Sequence, residues 1–200
     1  MKMLRFILPT LLLIGLSASQ AVAAMSSPRG LQKYGYPVVL ASVEFTPGHA
    51  LKVTVPDQVT GGQPPGYATF SIPAHAFTKP VTIRFLAGKV SAWDKHVSSK
   101  LKVIADFAYL ITDNSNGAIV KKFNQPITYT LKDPMVTKDS VYWATTAHNP
   151  PKLINANKAS RIKGKTLSHP TPVSAVGWII TTPKSELSMG GSKSMGSKHM

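Results

Sequence analysis

The chain has 200 residues, no cysteine, and 23 Lys+Arg against 8 Asp+Glu, which gives a formal net charge of +15 at pH 7. The missing cysteines exclude disulfides and thiolate metal sites. The excess of positive charge favours an anionic partner, or a medium in which few carboxylates is the safe composition. The lysines are scattered singly or in short pairs, without a basic helix, so the sequence predicts no sequence-specific nucleic-acid binding.

Residues 1–24 have the pattern of a secretory signal peptide. A positively charged start precedes an apolar run over residues 6–16, and the small residues Ala23 and Ala24 offer the cleavage site. This run is well short of the ~20 apolar residues that span a bilayer, so we expect no integral membrane anchor after cleavage. We therefore expect a single domain that a bacterial cell exports to the periplasm or the exterior.

The first half of the mature chain predicts an N-terminal arm and several strands. Residues 25–37 contain two prolines and two glycines and predict the arm. Apolar and polar side chains alternate over residues 38–45 and 51–55, as they do in half-buried strands. A loop rich in glycine and proline, residues 61–66, leads to the next strand.

Residues 67–86 carry the clearest indication of the fold. Phe70 and Ile72 alternate with polar residues, and the alternation resumes over residues 81–85 after a proline-bounded connection, residues 73–80. Two strands joined by such a corner are typical of an antiparallel β-sandwich.

Residues 89–100 leave two possibilities open. Val90, Trp93 and Val97 have helical spacing, and either a short helix or a polar crossover loop fits the segment. The following apolar strand, residues 101–112, is interrupted by Asp106. We interpret Asp106 as an outward-facing residue of a two-sided strand rather than as a catalytic group.

The second half predicts further strands and a tail. A turn at residues 113–117 predicts a hairpin return that Pro126 ends, with the next strand over residues 127–131. Three more strands are predicted over the following segments: 141–146, 152–154 and 173–181. The fold class is therefore all-β, an antiparallel β-sandwich of about ten short strands over residues 38–183. The Gly/Ser/Met/Lys residues 184–200 predict a flexible, disordered tail.

Four segments of the sequence resemble ZU5-type β-sandwich modules: residues 66–77, 80–85, 141–143 and 167–176. The resemblance covers roughly residues 51–181 and implies an interaction domain of the kind found in secreted bacterial proteins. His75 stands where the family usually has glycine. Some members cleave themselves at a His-Phe-Ser step, but here His169 is followed by Pro170 and Thr171, so self-cleavage is not carried over.

The sequence contains no catalytic signature, and we expect no enzyme activity and no cofactor. A Gly-x-Ser-x-Gly motif is absent, and the six histidines, which we expect in loops, are not at metal-ligand spacing, so no metal site is predicted. Met189, Met195 and His199 in the tail supply soft ligands that suit copper(I), although a plain basic extension fits the composition better.

Two functions are consistent with these features. The first is a non-catalytic binding or structural module with a basic surface that contacts an anionic envelope component or a protein partner. The alternative is a carbohydrate-binding or carbohydrate-active β-sandwich domain. For ligand binding, the sequence singles out Trp93 and Trp143 as stacking surfaces and Lys121 and Lys122 as paired charges. Tyr142 and Trp143 are adjacent, so one is expected in the core and the other outside.

Overall fold

A computed structural model of the chain describes residues 31, 35–56, 67–146, 151–173 and 177–188. Within them lie the strands β1 (Val38–Phe45), β2 (Leu51–Pro56), β3 (Tyr67–Ile72), β4 (Val81–Ala87), β5 (Leu101–Asp113), β6 (Lys122–Lys132), β7 (Val141–Thr145), β8 (Leu153–Asn155), β9 (Arg161–Lys163), β10 (Thr166–Val173) and β11 (Gly177–Pro183). The helical segments are α1 (Val90–Trp93), α2 (Lys184–Ser188) and the two 3-10 turns Asp94–His96 and Asn157–Ala159.

The strands form two sheets that pack face to face. One sheet has six strands in the order β1-β4-β5-β11-β7-β8, and the other has five in the order β2-β3-β6-β10-β9. Every neighbouring pair is antiparallel. The predicted antiparallel β-sandwich is thus confirmed. No helix among these residues is long and apolar enough to cross a membrane.

The proline-bounded corner connects the two sheets. β3 belongs to the five-stranded sheet and β4 to the six-stranded sheet, so residues 73–80 pass across the end of the core. Phe77 closes this end because its side chain is buried and its ring meets those of Phe45 and Phe123 edge-on at 5.3 and 5.4 Å between centroids. Each such aromatic pair adds ~0.5–1.5 kcal/mol beyond area burial.

Aromatic side chains fill the space between the sheets. Phe70 stacks on Phe85 across the sandwich with centroids 4.2 Å apart, and Phe107 stacks on Tyr129 at 4.0 Å. Trp178 lies beside Phe107 in the same sheet at 5.1 Å. Since no disulfide is available, this packed aromatic core carries the stability of the fold.

A second apolar cluster covers the outer face of the six-stranded sheet. Its buried members are Tyr36, Val39, Leu86, Trp93, Val103, Ala108 and Ile179. Of the two possibilities for residues 89–100, the helix is the one observed, and it brings Trp93 into this cluster. Tyr36, from the end of the N-terminal arm, is fully buried and its hydroxyl lies 3.3 Å from Thr145 Oγ1. The end of the arm is therefore part of the packed domain.

The prediction that Pro126 ends a strand is wrong. β6 runs without interruption from Lys122 to Lys132. Proline is accommodated because the pairing of β3 with β6 stops at Thr128, and the pairing with β10 is irregular beyond Ile127. The backbone N–H that proline lacks is therefore not needed by a neighbouring strand.

Several predicted segments lie partly or wholly outside the described residues. They are the signal peptide, most of the arm, the loop of residues 61–66, and residues 189–200 of the tail with their methionines and histidine. The first five residues of the predicted tail form α2, which directly follows β11.

Candidate anion-binding site

The two predicted tryptophans lie on the covered outer face of the six-stranded sheet. Trp93 is only 2% exposed, and its Nε1 donates a hydrogen bond of 2.9 Å to Asp106 Oδ2. Trp143 is half-buried against the second apolar cluster and donates from Nε1 to Thr181 Oγ1 at 2.9 Å. Neither indole therefore offers a fully exposed ring on which a ligand could stack. Tyr142, the neighbour of Trp143, is fully buried in the core, so one of these two residues is inside, as expected.

The two predicted lysines lie together at the start of β6 and are exposed. Lys122 lines a cavity of about 230 Å³ beside the proline-bounded corner, which we call the corner pocket. Lys79, at the end of that corner, lines the same cavity. The fold thus brings together two ammonium groups that are more than forty positions apart in the chain.

The corner pocket combines an apolar wall with polar groups. Phe77, Val81 and Val120 supply the apolar part, and Asn124 and Thr78 add polar side chains. A backbone hydrogen bond of 2.9 Å from the Asn124 N–H to the Ala76 carbonyl fixes the start of β6 against the corner. The cavity is smaller than the ~300–1,000 Å³ of pockets for drug-sized ligands, so it suits a single group of a larger partner.

One carboxylate borders the pocket and partly balances its charge. Asp113 lies 3.7 Å from Lys79 Nζ. Hydrogen bonds from the Ser115 hydroxyl and backbone N–H, together with the Lys79 ammonium, lower the pKa of Asp113. Asp113 therefore stays ionised and offsets one lysine, which leaves Lys122 and the adjacent Lys121 without a carboxylate partner among the described ion pairs.

A larger and shallower cavity, of about 410 Å³, has a different charge balance. Lys138 and Lys165 line it together with Glu186. Lys138 Nζ also lies 3.6 Å from Asp139 Oδ2. The lining of each cavity has two lysines and one carboxylate, but here Asp139, beside the cavity, also pairs with Lys138, so this cavity is a poorer place for an anion than the corner pocket.

Asp106 is the buried carboxylate that sequence reasoning placed on an outward-facing position. It does face away from the core, but α1 covers it and leaves it 8% exposed. The Gly88 N–H and the Trp93 indole donate to it. Burial nevertheless dominates and raises its pKa to about 6. With all its contacts inside the fold, Asp106 holds α1 and the Gly88 turn against β5.

The expectation that histidines lie in loops is wrong for His169. It is an inward-facing residue of β10 and stacks on Tyr142 with ring centroids 3.8 Å apart. Its Nδ1 lies 2.9 Å from Ser160 Oγ, and burial lowers its pKa to about 4. The hydrogen bonds of the structure place no carboxylate on this Ser–His pair, so the orienting acid of a nucleophilic triad is not among its described contacts.

The described residues contain no group of three His, Asp or Glu side chains that could hold a metal ion. Sequence reasoning missed Lys79 and Asn124 at the corner pocket because their proximity to Lys122 depends on how the two sheets are connected. The isolated charge at the end of the proline-bounded corner was the one signal in the sequence that could have indicated Lys79.

No family model, no curated protein and no solved structure matches this chain. The resemblance to ZU5 modules thus stays a prediction from the four sequence segments that carry it.

Proposed function

We propose that the mature chain is an exported, non-catalytic binding module whose corner pocket holds one charged group of an anionic envelope component or protein partner. The observation that carries this proposal is the convergence of Lys79 and Lys122 on one small cavity with an apolar wall. A carboxylate or phosphate group fits such a cavity by size and charge.

The lysines at the corner pocket can contribute to anion binding because they are close together. Exposed charges farther apart than a Debye length of ~8 Å at physiological salt interact little, so most of the 23 Lys+Arg contribute only to the general field. Because Asp113 offsets the charge of Lys79, Lys122 supplies the excess positive charge of the pocket, and the adjacent Lys121, outside the lining, adds to the local field. The proposal therefore assigns the affinity to this pair.

The contacts of Asp106 and His169 support the non-catalytic part of the proposal. Asp106 accepts hydrogen bonds from Gly88 and Trp93 inside the fold, and His169 is stacked in the core. A general acid or base has to reach the proton that it transfers. Both groups instead stabilise the packing of the elements around them.

Titration with poly(glycerol phosphate) at low and physiological salt tests the binding site. We compare the wild type with the double variant Lys121→Gln/Lys122→Gln and with a charge-matched control, Lys100→Gln/Lys102→Gln. The corner variant is expected to lose about tenfold in affinity at low salt, the result of removing two charge contacts worth ~0.5–1 kcal/mol each. Equal losses in both variants, or an affinity that does not depend on salt, would overturn the assignment.

Export is tested by intact-mass measurement of the protein secreted from a bacterial host. The mature chain is expected to begin at Ala24 or Met25. A chain that retains Met1 outside the cytoplasm contradicts this part of the proposal.

A further inference from the structure

The outer face of the five-stranded sheet carries rows of hydroxyl side chains. The strand register places Thr54, Thr69, Thr130 and Ser168 opposite one another on four adjacent strands, and of these only Thr69 is buried. A second row, two residues further along, contains Ser71 and Thr128. We call this surface the hydroxyl face and define it by six residues: Thr54, Ser71, Thr128, Thr130, Thr166 and Ser168.

The rows have a regular spacing, and their hydroxyls have unused hydrogen-bond donor and acceptor positions. Neighbouring strands are ~4.8 Å apart, and alternate residues along a strand are ~6.6 Å apart. Thr54 Oγ1 lies 3.2 Å from Thr69 Oγ1, and Thr130 Oγ1 lies 3.2 Å from Ser168 Oγ. Each hydroxyl has one donor and two acceptor positions, so one mutual hydrogen bond leaves others for a ligand.

Positive charge borders this face on several sides. Lys52, Lys132, Arg161 and Lys163 are exposed, and Arg161 lies at the end of the Thr130 row because it pairs with Ser168. The five strands of this sheet contain no Asp or Glu. An anion lying along the face therefore meets no negative side chain from these strands.

One aromatic ring completes the surface. Tyr67 is 43% exposed and lies opposite Lys132, whose Nζ is 5.6 Å from the centre of the tyrosine ring. An exposed ring in contact with a cation suits a sugar that carries a negative charge. The apolar side of the sugar can lie on the ring while its carboxylate pairs with the ammonium.

We propose that the hydroxyl face binds a linear acidic glycan. One charged sugar lies on Tyr67 and pairs with Lys132, and the following sugars run across Thr130 and Ser168 towards Arg161 and donate or accept hydrogen bonds through their own hydroxyls. This inference goes beyond the proposed function, because it adds a second anion-binding surface that is separate from the corner pocket. The regular hydroxyl rows distinguish a glycan from a polyanion that offers only charge.

The test uses oligogalacturonate and its methyl-esterified form, which keeps the sugar hydroxyls and removes the charge. Polyglutamate supplies carboxylates without sugar rings. Binding of each is measured by calorimetry to the wild type, Tyr67→Ala, Thr130→Val and the corner variant Lys121→Gln/Lys122→Gln. Thr130→Val preserves side-chain shape and strand preference, so the fold is retained while one hydroxyl is lost.

Oligogalacturonate is expected to bind the wild type at least tenfold more tightly than the methyl ester. Tyr67→Ala should weaken it about five- to tenfold and Thr130→Val about threefold, whereas the corner variant should stay within twofold of the wild type. Equal binding of the methyl ester, or loss of binding in the corner variant alone, overturns the glycan assignment while anion binding at the corner pocket stands. Polyglutamate binding that equals that of oligogalacturonate also overturns it. Failure of the wild type to bind poly(glycerol phosphate) and both acidic polymers overturns both proposals.

Discussion

Replacing Asp106 by asparagine should remove a pH dependence from the stability of the fold. Burial raises the pKa of Asp106 from 3.8 to about 6. Between these two pH values the folded chain holds a proton that the unfolded chain has released. The free energy of unfolding of the wild type therefore falls as the pH rises through this window. A pKa change of this size corresponds to ~3 kcal/mol.

Asparagine keeps an oxygen for the Trp93 and Gly88 donors and cannot ionise, so the variant lacks this contribution. Urea unfolding of both proteins at a series of pH values from 4 to 7 measures the difference. The wild type should lose up to ~3 kcal/mol relative to Asp106→Asn as the pH rises from 4 to 7.

Asp113→Asn is the matched control because hydrogen bonds from Ser115 lower the pKa of Asp113. In a urea series extended below pH 4, the wild type should gain stability relative to this variant as the pH rises towards 3.8, the ordinary value for Asp, which is the opposite sign. A difference between wild type and Asp106→Asn that stays flat, or that rises with pH, would refute the argument that burial outweighs the two hydrogen bonds of Asp106.

Three further variants test the core and the covered face. Burial lowers the pKa of His169 to about 4. In the same urea series, the free energy of unfolding of the wild type should fall by up to ~3 kcal/mol relative to His169→Gln as the pH falls from 6.5 to 4. The absence of this loss would mean that the imidazole of His169 is protonated without cost in the folded chain. Phe107→Ala should cost ~3–5 kcal/mol by urea unfolding, and a cost below 1 kcal/mol would contradict its central position in the aromatic core. Gly88→Ala should cost ~1–3 kcal/mol because its Cβ would lie 1.9 Å from the Gly35 carbonyl oxygen, and a melting temperature equal to that of the wild type would contradict this close contact.

Most strands of the sandwich could be predicted because each has a simple pattern, but β9 and nearly all of β10 were not among the predicted strands. Phe70 and Ile72 alternate with polar residues, and both are buried between the sheets. Sequence pattern does not state which strands become neighbours, however. That β11 lies between β5 and β7 depends on packing among residues distant in the chain, which period-two alternation does not encode.

The covered outer face was the main feature that alternation alone did not reveal. Seven consecutive residues of β5, from Val103 to Tyr109, are buried, which is the pattern of a strand covered on both faces. The apolar residues around Asp106 indicated such a cover, and Trp93 at helical spacing with Val90 and Val97 indicated what supplies it. Read together, these two signals would have placed Trp93 inside the fold rather than in a ligand site.

The position of β11 has a consequence for how the chain acquires its structure. β11, which follows the other strands in the chain, lies between β5 and β7 in the six-stranded sheet. The hydroxyl of Tyr36 contacts Thr145 on β7 and the carbonyl of Trp178 on β11, so this set of contacts needs β11 in place. Completion of the six-stranded sheet therefore requires residues 177–183, and pairings so distant in sequence form slowly.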